Sequence, residues 1–444
     1  MPPDDTSLRA MRPVAADDAA ASSAPTPFRR RGAIGRLAPL AGPAILASVA
    51  YMDPGNIATN IEAGARFAYR LLWVVLLANV TAMLFQALSA KLGIVTGRSL
   101  AELCRDRLPA PVVYAMWAVS EIAAMATDVA EFLGASIGFA LLLHIPLLAG
   151  VLITGVVTYL ILMLQKSGRS RRLEAVVGVL VGLLCLCYVV EVVLAGPDWG
   201  QVAVGAFLPR FGGPGSVVLA AGIVGATVMP HAIFLHSGLA RDSVSATERR
   251  HGVFARAAVR LSHVDVALAL GMAGIVNLAM VCVAAAVFAP DIEAGRAASA
   301  GIEQAYRTLG PLLGNAAAAV FLVALLASGL SSSVVGTMAG QVIMQDFVHW
   351  RIPLWVRRIV TMLPTAAIVA LGVDATEALV MSQVVLSLVL PVPMIALLVL
   401  TSRRSVMGAM ASSRTLTMVA GAATLMVLTL NLLLILDAFG VSVL

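Results

Sequence analysis

The sequence predicts an all-α polytopic membrane protein with about eleven transmembrane helices. Three observations carry this. Of 444 residues, 60% are hydrophobic and 12% charged, where a soluble domain has roughly 25% charged. The apolar residues fall in runs long enough to cross a bilayer. The positive charges collect in alternate connecting segments.

Taken in order, the runs lie near 37–66, 70–93, 111–141, 146–165, 173–195, 216–240, 262–289, 311–345, 354–372, 376–400 and 415–438. Several exceed the hydrocarbon thickness, which calls for tilt or extension beyond it. Residues 1–35 are rich in Pro, Ala, Ser and Asp and lack the apolar core of a signal peptide, so they read as a disordered cytoplasmic tail. Residues 36–444 form the transmembrane domain. With the N-terminus inside, the inner segments hold Arg29–Arg31, Lys91, Lys166, Arg249, Arg250, Arg357, Arg358, Arg403 and Arg404, among others. Of the chain's 30 Lys and Arg, the outer segments hold only Arg66, Arg70, Arg210, Arg296 and Arg307. The N-terminus is therefore cytoplasmic, and an odd helix count puts the C-terminus outside the cytoplasm. The net charge of +6 marks topology, and no nucleic-acid partner is expected. Cys104, Cys185, Cys187 and Cys282 show no metal-ligand spacing and read as structural.

Two spans contain helix breakers at mid-depth. In the first, Asp53-Pro54-Gly55-Asn56 sets an acid, a proline, a glycine and an amide in apolar surroundings. Such a break is tolerated only inside protein or beside a water-filled cavity. It frees carbonyls next to a carboxylate, which makes an oxygen-rich cation site. In the sixth, Gly222 and Gly225 precede Met229-Pro230-His231, where Pro230 removes a backbone donor and turns Met229 away from helical geometry. Spans one and six each open a group of five, and an odd group length reverses the second group. That is an inverted 5+5 repeat, near 37–195 and 216–400, with an extra helix near 415–438 and the broken helices meeting at the midplane. Such an arrangement points to a transporter.

Ala47-Ser48-Val49-Ala50-Tyr51-Met52-Asp53-Pro54-Gly55-Asn56 and Met229-Pro230-His231 closely resemble the two signature motifs of the Nramp metal-ion transporters. The resemblance runs from about Arg36 to the C-terminus. It implies the fold of the sodium-coupled amino-acid symporters and proton-coupled import of divalent transition metals such as Mn²⁺ and Fe²⁺, with Cd²⁺ also accepted, across the inner membrane. It assigns metal ligands to Asp53, Asn56, Met229, the carbonyls of Ala50 and Ala226 and, in some conformations, Gln383. The chemistry of the residues agrees. Asp53 offsets part of the ion's charge, and the thioether of Met229 suits transition metals better than Ca²⁺ or Mg²⁺. Ala63 and Ala68 stand where glycine is common in the family.

Glu121, Asp128 and Glu131 share one face of the third span, and intramembrane acids are functional candidates by default. His231 and His236 follow the second break, and Arg357 and Arg358 open span nine, where an arginine can pair with Asp128. The resemblance supports a proton relay through Asp53, Glu131, Asp128 and an arginine of span nine, with His231 alongside. The expected partners are a divalent metal ion, protons and the lipid bilayer, with no resident cofactor. An amino-acid symporter of the same architecture is the alternative, but Asp53 would repel a carboxylate substrate. An intramembrane metalloprotease would need a pattern such as H-E-x-x-H, which is absent, so no enzyme is expected; nor is there a Walker-type loop for ATP.

Overall fold

The computed structural model describes residues 48–166, 170–213, 215–250, 252–294 and 301–439. The expected N-terminal tail, together with Arg36 and Ala47, lies outside them. All described residues belong to one unit, Pro39–Leu444. No strand occurs among them. The helices are α1 (Pro54–Phe67), α2 (Leu72–Thr96), α3 (Leu100–Arg107), α4 (Ala110–Leu143), α5 (Leu147–Lys166), α6 (Ser170–Ala195), α7 (Trp199–Phe207), α8 (Ser216–Thr227), α9 (Pro230–Asp242) and α10 (Ala246–Arg250). They continue with α11 (Gly252–Val287), α12 (Ala289–Glu293), α13 (Ile302–Leu313), α14 (Asn315–Val348), α15 (Leu354–Ala370), α16 (Ala375–Val389), α17 (Pro391–Ser402), α18 (Arg404–Met407) and α19 (Arg414–Ala438).

Among the described residues, 8 stretches are long and apolar enough to cross a membrane. One of them, Pro54–Thr96, takes in both α1 and α2, because the opening half of the first span lies mostly outside the described residues. Leu147–Met163 is a shorter apolar helix, and α15 has only 17 residues, with Pro364 inside it. A total of eleven requires both to cross as well. Large apolar side chains such as Leu152, Leu160, Val179, Ile275 and Met418 stand exposed, which suits a surface facing lipid.

The helices pack where small residues let backbones meet. α4 lies along α14, and α11 lies along α1 and α2. A Cβ on Gly329 would sit 2.9 Å from the Ala135 amide nitrogen, so the small residues of span eight provide a close approach of α14 to α4. Likewise a Cβ on Gly64 would meet the Val281 carbonyl at 2.5 Å. Interhelical packing of this kind replaces the hydrophobic drive that lipid cannot supply.

Three short helices, α3, α7 and α13, were read from the sequence as connections. α3 begins with a capping box: Ser99 Oγ accepts from the Glu102 amide at 3.2 Å, and Glu102 Oε2 accepts from the Ser99 amide at 2.8 Å. Arg241, at the end of α9, then reaches Glu102 at 3.0 Å and Asp346 of α14 at 3.4 Å. One guanidinium thus ties three helix ends together. All four cysteines are free. Burial pushes the Cys104 thiol of α3 up to about 12, which keeps it protonated and inert.

Ala68 closes α1 with φ 48° and ψ −129°. A Cβ is strained there and glycine is not, so this departure from the family's usual glycine carries a backbone cost as well as a packing change. Ala68→Gly is expected to stabilise the protein by about 1 kcal/mol, read as a raised midpoint of thermal unfolding in detergent.

Candidate functional site: two broken helices joined at Asn56

Ser48, Val49 and Ala50 are helical, Tyr51 to Asp53 are not, and α1 restarts at Pro54. Proline fits that first position because its missing donor would have been unpaired anyway. Asp53 caps the new helix: its Oδ1 accepts from the Asn56 amide at 2.8 Å and from Asn56 Nδ2 at 2.7 Å. Neighbouring helices hold the freed carbonyls. Asn277 Nδ2 of α11 donates to the Tyr51 carbonyl at 3.0 Å, and Ser328 Oγ of α14 donates to that of Met52 at 2.5 Å. Asn60 Nδ2 in turn donates to Asn277 Oδ1 at 3.2 Å. The break is therefore a fixed loop enclosed by protein, as a non-helical segment at membrane depth must be.

The second break is shorter. α8 ends at Thr227, Val228 and Met229 are non-helical, and α9 begins at Pro230. Met229 takes extended backbone, φ −76° and ψ 122°, as a residue before proline prefers. Asn56 Nδ2 crosses to this break and donates to the Ala226 carbonyl at 3.0 Å, while Thr227 Oγ1 donates to Asn56 Oδ1 at 3.4 Å. The two breaks thus share one amide side chain.

α16 completes the site. Gln383 fills the space a Cβ on Gly55 would take, and that same position lies 2.9 Å from Asp53 Oδ2. Its backbone carbonyl occupies the space beside Gly225 of α8. Asp53, Asn56, Ala50, Ala226, Met229 and Gln383 are all wholly buried. Ala50 is the last helical residue before the first break, so its carbonyl falls at a half-helix end. Asp53 Oδ2 and Gln383 Oε1 accept no hydrogen bond. Buried oxygens without donors are rare and costly, and a cation satisfies them. Among the described residues there is no group of three or more His, Cys, Asp or Glu able to hold a metal. The candidate donors named from the sequence are one carboxylate, amides, carbonyls and a thioether, unlike a structural zinc site.

A line of acids leads away from Asp53. Glu131 of α4 interacts electrostatically with both Asp53 and Asp128. Its carboxylate rests on Gly336 of α14, where a Cβ would lie 2.6 Å from Oε2. Asp128 and Glu131 are buried, and none of their four oxygens has a hydrogen-bond partner within bonding geometry. The expected ion pair between Asp128 and the arginines of α15 is not formed. Arg357 turns to Glu121 at 3.4 Å. Arg358 donates to Ser333 Oγ at 2.5 Å, Thr337 Oγ1 at 2.6 Å and Thr158 Oγ1 at 3.2 Å, with its guanidinium 4.3 Å from the centre of the Phe132 ring. The hydroxyls of two helices, α5 and α14, outcompete Asp128 for direct contact, and both arginines act on it through space.

The two histidines separate. His231 Nδ1 lies 3.0 Å from Thr127 Oγ1, the neighbour of Asp128, and its Nε2 has no partner. His236 Nδ1 meets Gln86 Oε1 at 2.7 Å, and Gln86 Nε2 donates to the Tyr51 hydroxyl. His236 therefore reaches the first break through α2 and not through α4. The Tyr51 hydroxyl and Thr227 escaped the sequence reading, since neither residue type stands out in an apolar run. Gln86 and Asn277 are amides within apolar runs of the sequence, and only the fold supplies their partners.

The family model described as Natural resistance-associated macrophage protein-like matches residues 44–437. The chain is 57% identical to the divalent metal cation transporter MntH of Verminephrobacter eiseniae over 94% of this chain and 92% of that one. It is 50% identical to MntH of Deinococcus radiodurans over 91% of each. A crystal structure of the Eremococcus coleocola manganese transporter superposes with TM-score 0.80 and 35% identity, covering 91% of this chain and 87% of that chain. MhsT, crystallised with L-phenylalanine, shares the fold alone, at TM-score 0.52 and 14% identity. By its family model and its relatives, the chain belongs to the Nramp family.

Proposed function

We propose that this protein carries divalent transition-metal ions, Mn²⁺ and Fe²⁺ foremost, inward across the cell membrane in exchange for no ATP and in company with protons. It is a multi-pass membrane transporter and not an enzyme. The carrying observation is the junction of the breaks, where Asn56 links Asp53 to the Ala226 carbonyl. Asp53, Asn56, Met229, Gln383 and the carbonyls of Ala50 and Ala226 supply the ligands. Oxygen donors alone would favour the abundant hard ions; the sulfur of Met229 shifts preference toward transition metals. The two groups of helices, near 37–195 and 216–400, rock about this site, with the N-terminus in the cytoplasm and the C-terminus outside it.

Coupling follows from charge. A divalent ion beside Asp53 favours its ionised form. A proton released there is repelled by the metal and needs another exit. Glu131 and Asp128 offer one: they are buried, without hydrogen-bond partners, and electrostatically linked to Asp53. Arg357, Arg358 and Glu121 set the charge at its far end, while His231 lies beside Thr127. His236 steadies the Tyr51 side of the break.

In proteoliposomes, Mn²⁺ uptake by the wild type is expected to acidify the lumen. In D128N/E131Q, uptake is expected to continue with acidification lost and with little response to an imposed pH gradient. Unchanged acidification in that variant overturns the route. Failure of the wild type to take up Mn²⁺, Fe²⁺ or Cd²⁺ overturns the transport reading itself.

A further inference from the structure

Two cavities lie on either side of the hydrogen bond from Trp73 to the Arg210 carbonyl, at one end of α2. The first, about 380 Å³, lies between the turn after α1, the helix α7 and Arg210. Three arginines line it, Arg66, Arg70 and Arg210. These are most of the few arginines that the sequence leaves on the sparsely charged side. Arg66 reaches Glu62 at 3.5 Å and lies over the Phe67 ring at 5.5 Å. Arg70 and Arg210 are exposed, and among the described residues neither has a carboxylate within ion-pair distance. The nearby acid Asp198 is spent on capping α7, accepting from Gly200 and Gln201.

The second cavity, about 450 Å³, is an apolar groove between α2, α8 and α19, walled by Leu77, Val224, Leu425, Met426 and Leu430. Its outer wall is open: Leu425 is 64% exposed. Trp73 belongs to the rim. Its indole N–H donates to the Arg210 carbonyl at 3.1 Å, and its ring meets Phe211 edge-on at 5.5 Å. Beside the arginines, α7 exposes Trp199, Val204 and Phe207. Exposed aromatic and apolar residues on a short helix between spans suit the membrane interface, as does Trp73. These markers put the arginine cavity at headgroup depth and the groove at acyl depth.

We propose that the paired cavities bind one anionic phospholipid, its phosphate held by Arg66, Arg70 and Arg210 and one acyl chain lying in the groove between α2, α8 and α19. Guanidinium groups match phosphate oxygens in geometry and charge. A soluble anion would leave the groove without purpose, and a zwitterionic lipid presents the phosphate beside a cation of its own, which three arginines repel. The location gives the lipid a consequence. Val224 is two residues from Ala226, so the chain rests on the half-helix that ends at the second break, while the headgroup rests on the end of α1.

The test is lipid binding to delipidated protein in detergent, followed by native mass spectrometry and by thermal unfolding during titration with phosphatidylglycerol, phosphatidylcholine or inorganic phosphate. Phosphatidylglycerol is expected to bind one per chain and raise the unfolding midpoint, with phosphatidylcholine and phosphate giving neither effect. R70Q/R210Q is expected to bind phosphatidylglycerol roughly thirtyfold more weakly. R70K/R210K, which keeps the charge but not the guanidinium fork, is expected to bind more tightly than R70Q/R210Q and more weakly than the wild type, which separates lost recognition from a misfolded variant. A422W, which fills the groove, is expected to lose it as well. Equal binding of phosphatidylcholine, equal protection by inorganic phosphate, or wild-type affinity in R70Q/R210Q each overturns the assignment.

Discussion

Asp53→Asn is expected to reduce Mn²⁺ uptake to the background of empty vesicles while leaving the protein folded. The substitution is isosteric, and an asparagine Oδ1 still accepts from the Asn56 amide, so the cap of α1 survives. Only the charge is removed. Asp53 is the sole acid within either break, and nothing else there offsets a dehydrated divalent ion. Binding and transport therefore fall together. Proteoliposome uptake alongside isothermal titration with Mn²⁺ checks this, with an unfolding midpoint near that of the wild type as the control. Uptake retained at even a tenth of the wild-type rate would remove Asp53 from the centre of the mechanism.

Gly225→Ala is expected to damage both stability and transport, although it adds a single methyl group. The added carbon would be driven into the backbone carbonyl of Gln383 and would lie 2.6 Å from the Ser387 amide nitrogen. No side-chain rotation relieves a collision with backbone, so α8 must shift away from α16. Overpacking of this kind costs about 1–3 kcal/mol. The shift also draws the second break away from Gln383, so uptake should drop further than thermal stability alone explains. A variant with wild-type melting and wild-type uptake would mean that α8 and α16 are not held in this register. Gly222→Ala is the contrast, because its Cβ would meet only methyl groups, at 3.3 Å from Thr59 and 4.0 Å from Val384.

The sequence carried the breaks because their signals are local. A proline and an acid inside an apolar run cannot be absorbed by an ordinary membrane helix, so Asp53-Pro54 and Met229-Pro230 announced themselves. Their meeting was inferable from repeat parity, which fixes which spans correspond. The partners of polar side chains were not legible. Nothing in the chain says that Arg358 would be taken by Ser333, Thr337 and Thr158, because these hydroxyls lie on two other helices and hydroxyls are common in membrane spans. Nor could spacing reveal that Asn277 and Ser328 hold the carbonyls of Tyr51 and Met52. The short helices were hidden for another reason. α3 and α7 have 8 and 9 residues, too few for periodicity to separate them from polar connections.

The amide of Asn56 has a consequence for how the carrier runs empty. Its NH₂ group faces both Asp53 and the Ala226 carbonyl, so two oxygens of the proposed metal site are engaged by an internal donor. Loading is then an exchange: the incoming ion must evict that donor, and the amide must swing round to present its oxygen. A weakly attracted ion has little means to displace that donor.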